Sequence, residues 1–104
     1  VSKSGVPLAE ALPLVRAVAA LPHVSIRGLM TLPPWSDDPE ASRPHFAALR
    51  RLRDRIRSER IGSCAVEELS MGMSQDYRVA IEEGATIVRI GRLIFGERPG
   101  KDPG

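Results

Sequence analysis

The residues from Ala65 to Arg98, AVEELSMGMSQDYRVAIEEGATIVRIGRLIFGER, constrain the fold more than any other part of the chain. Apolar and polar residues alternate up to Ser70, which predicts a strand. A turn around Gly72 with its two serines follows, and an amphipathic segment from about Ser74 to Glu83 predicts a helix. Gly84 stops that helix. The β-branched run from Thr86 to Ile90 predicts a second strand, closed by Gly91. Strand, loop, helix, strand, loop is a parallel βαβ unit, and both of its loops emerge at the C-terminal edge of the sheet, where α/β folds bind their ligands. The two loops are expected to face one site.

The chemistry of those loops points to a phosphate. Ser70 offers a hydroxyl where the strand is expected to run out, and Gly72 lets backbone approach a ligand. Gly91 lies between Arg89 and Arg92, so backbone N–H groups and guanidinium donors can gather around one anion. Backbone amides at a tight turn supply aligned donors and partial positive charge, and arginine adds bidentate geometry. The alternative is that serine and glycine after these strands serve only to turn the chain.

The paired runs SMGMSQD and VRIGRLIFG, with SIRGLMTLP and SKSGVPLAEALPLVRAVAALP before them, closely resemble the pyridoxal phosphate homeostasis proteins. This is the YggS/PROSC-type family, related to the N-terminal barrel of alanine racemases, and the likeness covers nearly the whole chain. The resemblance implies an α/β fold: the C-terminal portion of a (β/α)8 TIM barrel, with three parallel strands and flanking helices. It implies binding of pyridoxal 5'-phosphate without amino-acid turnover.

A complete barrel of that kind needs ~200 residues or more, and this chain has 104. Residues 1–104 are therefore expected to be one partial domain, about the C-terminal half of the barrel. The opening on Val1 suggests a truncated product or a proteolytic piece. With 15 Lys+Arg against 13 Asp+Glu, the net charge of +2 gives no bulk case for nucleic acid. The single Cys64 cannot form an internal disulfide and reads as a small apolar residue at a strand start, in a reducing compartment. No apolar run is long enough to span a membrane and no signal-peptide pattern opens the chain, so it is read as cytoplasmic.

Upstream, Leu8, Leu12, Val15 and Ala19 follow helical spacing. Because proline is poorly tolerated inside a helix, a turn is expected from Pro7 to Leu12 and the main helix from Pro13 to Leu21. Val24 to Leu32 predicts a strand, with Gly28 permitting a close approach. A Pro/Asp-rich loop with Trp35 follows, then a long helix capped by Asp38 or Ser42 and closed by Gly62. Its apolar stripe is Phe46, Leu49, Leu52 and Ile56; its six arginines read as the solvated face of an outer helix. His23 and His45 lack a third partner for a metal. A helical turn is expected near Leu93 to Phe95.

Carried onto this sequence, the family resemblance assigns Ser70, Gly91 and Arg92 to the cofactor phosphate and Arg89 to the pyridine nitrogen. Met30 and Thr31 line the pocket, with a core methionine the alternative for Met30. An always-charged guanidinium cannot take up the ring proton, so it keeps the pyridine nitrogen unprotonated and mutes carbanion chemistry. Ser74, as N-cap, and Asp76 read as caps of the helix that follows, with direct ligand contact the alternative. The family's Schiff-base lysine lies on its first strand, which this chain lacks. Lys3 and Lys101 are the only lysines, and neither matches it. Tyr77, the only tyrosine, is expected to enter helix packing. Three function classes follow: a non-catalytic cofactor-binding homeostasis protein, a racemase-type enzyme fragment, and a fragment kept for association. The inward face of an unclosed barrel, with Met30, Val66, Leu69 and Val88, is expected to need a second copy or the missing N-terminal half.

Overall fold

The computed structural model describes residues 5–61 and 65–91. In chain order it contains helix α1 (Leu8–Ala19), strand β1 (Gly28–Met30), a 3-10 turn (Pro39–Ser42), helix α2 (Arg43–Glu59), strand β2 (Glu68–Met73), helix α3 (Tyr77–Glu82) and strand β3 (Ile87–Arg89). The strands form one parallel sheet in the order β1-β2-β3. Lys3, Gly62, Cys64, Arg92, the turn expected near Leu93 to Phe95, and Lys101 lie outside the described residues.

The helices cover one face of the sheet. Leu69 and Met71 of β2 are fully buried against Phe46 and Leu49 of α2 and Val79 and Ala80 of α3, with Leu29 packed alongside. A second cluster of Val15, Ile56 and Val66 joins α1 to α2. Among the described residues no element covers the opposite face. Met30, Ser70 and Ile87 are level across the three strands, and Met30 and Ile87 are 61% and 47% exposed. Of the four residues expected on that open face, Met30 is there, whereas Val66 and Leu69 lie in the helix-side core and Val88 is half-buried. Alternation accounts for Leu69, which must face the helices when Ser70 is turned to the open side; Val66 precedes β2 and packs with Val15 and Ile56.

Three element boundaries differ from the sequence reading. Helix α1 runs through Pro13 without a break. Proline there removes only the bond to the Ala9 carbonyl, and both residues are exposed, so water can serve that carbonyl. The regular part of β1 is shorter than the expected 24–32 run, although pairing with β2 continues on either side through Ala65 N–H to the Ile26 carbonyl and Thr31 N–H to the Ser70 carbonyl. Helix α2, by contrast, ends where the sequence predicts, near Arg60, its C-cap residue in the left-handed conformation (φ 49°).

The third difference is at the signature turn. Strand β2 does not end at Ser70 but continues to Met73, with a register shift against β3 between Ser70 and Met73. Gly72 makes that shift: its φ is 103°, and a Cβ there would stand 2.6 Å from the Ala80 Cβ. Helix α3 therefore starts at Tyr77, and Asp76, not Ser74, occupies its N-cap position. Strand β3 is locked to β2 by Thr86, whose hydroxyl accepts from Leu69 N–H at 2.8 Å while its own N–H donates to the Leu69 carbonyl at 3.0 Å.

Charge holds α3 to α2. Arg43 pairs with Glu40, Glu82 and Glu83, and Arg50 pairs with Glu83. The Arg43 guanidinium, and after it Arg50, holds the Glu83 carboxyl below its ordinary range.

Candidate functional site

Arg89 of β3 reaches across the open face of the sheet. Its Nη1 meets the sulfur of Met30 and its Nη2 donates to the Thr31 carbonyl at 3.4 Å, both on the β1 side. Because β2 lies between those strands, the guanidinium spans it at the level of Ser70, which pairs with Met30. These are weak acceptors for a permanent charge. A thioether accepts poorly, 3.4 Å is long for an N–H···O bond, and Nε is buried with no hydrogen-bond partner. The site thus holds a cation with donors to spare.

Gly91 lies two residues beyond Arg89, at the edge of the sheet. A Cβ added there would meet nothing within 4 Å, so the space beside its backbone is open. Ser70 pairs with Ile87, four residues before Gly91. Strand β3 ends at Arg89, so Gly91 lies past the last residue paired with β2. Ser70, Met30 and Arg89 thus come together, while Gly91 follows past the C-terminal end of β3. Arg92 is outside the described residues.

Two further residues shape the site. Asp76 is buried, accepts from Met73 N–H at 2.8 Å, and accepts from the Ser42 hydroxyl at 2.8 Å. In the sequence both residues read as helix caps. Their pairing is not legible there, because they are 34 positions apart. Tyr77 begins α3, in the helix layer opposite Arg89, and its hydroxyl accepts from Arg78 Nε. Among the described residues no group of three His, Cys, Asp or Glu could hold a metal ion, and no helix is long and apolar enough to cross a membrane.

The family model for the alanine racemase N-terminal domain matches residues 1–99. The chain belongs to that family. Its three parallel strands and flanking helices are a portion of the alanine racemase-type barrel. Among curated proteins it is 52% identical over 97 residues to a pyridoxal phosphate homeostasis protein of Aquifex aeolicus, covering 93% of this chain and 42% of that one. It is 41% identical over 97 residues to the Escherichia coli protein of the same name, with 93% and 40% covered. The chain thus spans about two fifths of the length of these relatives. Among solved structures, PipY of Synechococcus elongatus with pyridoxal phosphate bound matches at TM-score 0.73 and 30% identity, over 86% of this chain and 42% of that one. The resemblance read from the two signature runs is the one these comparisons return.

Proposed function

We propose that this chain carries the ring-and-phosphate side of a pyridoxal 5'-phosphate site, as part of a cofactor-binding homeostasis protein that performs no amino-acid turnover. The observation that carries the reading is the Arg89 guanidinium, laid across the open face with a thioether, a long carbonyl contact and a buried, unpartnered Nε. A pyridine nitrogen is an acceptor of the kind that arrangement lacks. Arg89 would donate to it, Met30 would flank the ring, and Ser70 would lie beneath it. The phosphate would sit at the Gly91 end, on backbone N–H groups of Gly91 and Arg92.

When bound, the cofactor supplies an aldehyde and an electron-accepting ring. What this chain does to that chemistry follows from Arg89: a group that is always protonated donates to the ring nitrogen and never gives it a proton. Proton abstraction also needs a positioned base. Tyr77, the one tyrosine, is in the helix layer, and neither lysine corresponds to the one that engages the aldehyde in the family. Binding by this chain alone is therefore reversible.

The bare face that carries the site also exposes Met30 and Ile87, so the complementary half of the barrel, or a second copy, covers it in the functional protein. Titration of the chain with pyridoxal phosphate, pyridoxal and inorganic phosphate tests the reading. It requires saturable binding of pyridoxal phosphate that is tighter than binding of either part, and equal weak binding of all three would overturn it.

A further inference from the structure

We infer that Asp76 is a positioning residue for the phosphate end of the site, acting through the turn from Met73 to Asp76 rather than on the ligand. This inference rests on the proposed cofactor site. Each oxygen of the Asp76 carboxylate has its own partner: Oδ1 accepts from Met73 N–H and Oδ2 from the Ser42 hydroxyl, both at 2.8 Å. The group is 6% exposed, so water does not compete for either bond.

The two bonds act on different parts of the site. The first closes the turn on itself, together with Asp76 N–H donating to the Met73 carbonyl at 3.1 Å. It thereby fixes Met73, the residue level with Arg89, at the end of the Gly72 register shift. The second ties that turn to the start of α2. Ser42 stands at the N-cap position of α2 but makes no cap bond there, since its backbone is already helical (φ −82°, ψ −17°) rather than extended; its hydroxyl donates to Asp76. An anionic side chain held at the N-terminus of a 17-residue helix is favourable there, since the helix presents unsatisfied N–H groups and positive dipole.

The connection from β1 to α2 is therefore pinned at both ends to the site. At one end Thr31 offers its carbonyl to Arg89. At the other Ser42 holds Asp76. The β2–α3 turn, which leaves the same C-terminal edge of the parallel sheet as Gly91, thus takes its position from α2, through one buried carboxylate.

The test compares the 104-residue chain with its Asp76→Ala, Asp76→Asn and Ser42→Ala variants, well below their melting temperatures. Two quantities are read: hydrogen exchange at the amides of residues 71–73, and affinity for inorganic phosphate and for pyridoxal phosphate. The asparagine amide can accept from Met73 N–H and donate to the Ser42 hydroxyl, so Asp76→Asn restores the geometry without the charge. Asp76→Ala is expected to speed exchange at Met73 at least tenfold and to weaken binding of both ligands about tenfold. Asp76→Asn should stay within about threefold of the unsubstituted chain, and Ser42→Ala should fall between. If Asp76→Ala does not fold, Ser42→Ala carries the test, because it removes only the tether and leaves the turn's own bond. Faster exchange with unchanged affinity would overturn the positioning role alone. Failure of the unsubstituted chain to bind either ligand would overturn the cofactor reading, and this inference with it.

Discussion

The guanidinium of Arg89, on β3, lies against the sulfur of Met30, on β1, although β2 separates their strands. The contact defines the site, because a side chain that spans the middle strand must lie on the face that carries no helices. It also leaves Arg89 under-satisfied, which is the condition expected of a residue that awaits an acceptor.

Replacing Arg89 with alanine removes that donor set. A hydrogen bond to a charged group contributes about 1.5–3 kcal/mol, so affinity for pyridoxal phosphate is expected to fall at least tenfold in an absorbance titration. Affinity for inorganic phosphate should change less, because the phosphate end is proposed to lie at Gly91. Equal losses for both ligands would place Arg89 at the phosphate instead.

Gly72 and Gly91 should respond in opposite ways to alanine. At Gly72 the backbone is in the positive-φ region and the new Cβ would collide with Ala80 at 2.6 Å. A non-glycine residue held there is strained by about 1–3 kcal/mol, a fall in melting temperature of several degrees or more for a domain of this size. At Gly91 nothing stands within 4 Å, so Gly91→Ala should melt like the unsubstituted chain while weakening phosphate binding. Thermal melts of the two variants check the contrast.

The order of elements is legible in the sequence because it depends on local pattern. The alternation before Ser70, the β-branched run after Thr86 and the apolar stripe of α2 each identify their own element. The extent of the elements is less legible, because neighbours set it. Strand β2 passes Ser70 because Arg89 of β3 pairs with Met73, and a glycine that reads as a turn instead makes a register shift inside the strand. Helix α1 keeps Pro13 because the carbonyl it abandons faces water. Leu69 and Val66 read as open-side residues because both are apolar, whereas parity with Ser70 sends Leu69 to the helices. Arg89 is identified through family resemblance; its contact with Met30 depends on a parallel register that no local pattern encodes. The link from Ser42 to Asp76 is hidden for the same reason.

Acid should loosen α3 from α2. Arg43 first, then Arg50, holds the Glu83 carboxyl below its ordinary value of 4.5. A folded-state value below the unfolded one means that the contribution of this pair is complete above about pH 4.5 and is lost as the pH falls through the depressed value. Glu83→Gln should melt at a lower temperature than the unsubstituted chain at neutral pH, with the difference shrinking toward about pH 3. Melting curves across that range check the sign; a difference that grew on acidification would contradict it.

The bare face should drive association. Met30 stands on it at β1 and Ile87 at β3, and Leu32, just past β1, is 60% exposed. At ~25 cal/mol per Å2, leaving even about 500 Å2 of such surface in water gives up on the order of 12 kcal/mol, comparable to the stability of a whole domain. Light scattering should return a species larger than the 11.3 kDa chain, or one that becomes so on mixing with the complementary half of a full-length relative. A stable monomer with cooperative melting would contradict it.

The central claim is that one open face of this chain holds a pyridoxal phosphate half-site between Arg89 and Gly91. Amide chemical-shift mapping during titration with pyridoxal phosphate tests it most directly. The account predicts saturable shifts concentrated at Met30, Thr31, Ser70 and residues 89–91, with the Arg89 and Met30 shifts absent when inorganic phosphate is used instead. Shifts confined to the arginines on the exposed side of α2, or the same pattern with both ligands, would contradict it.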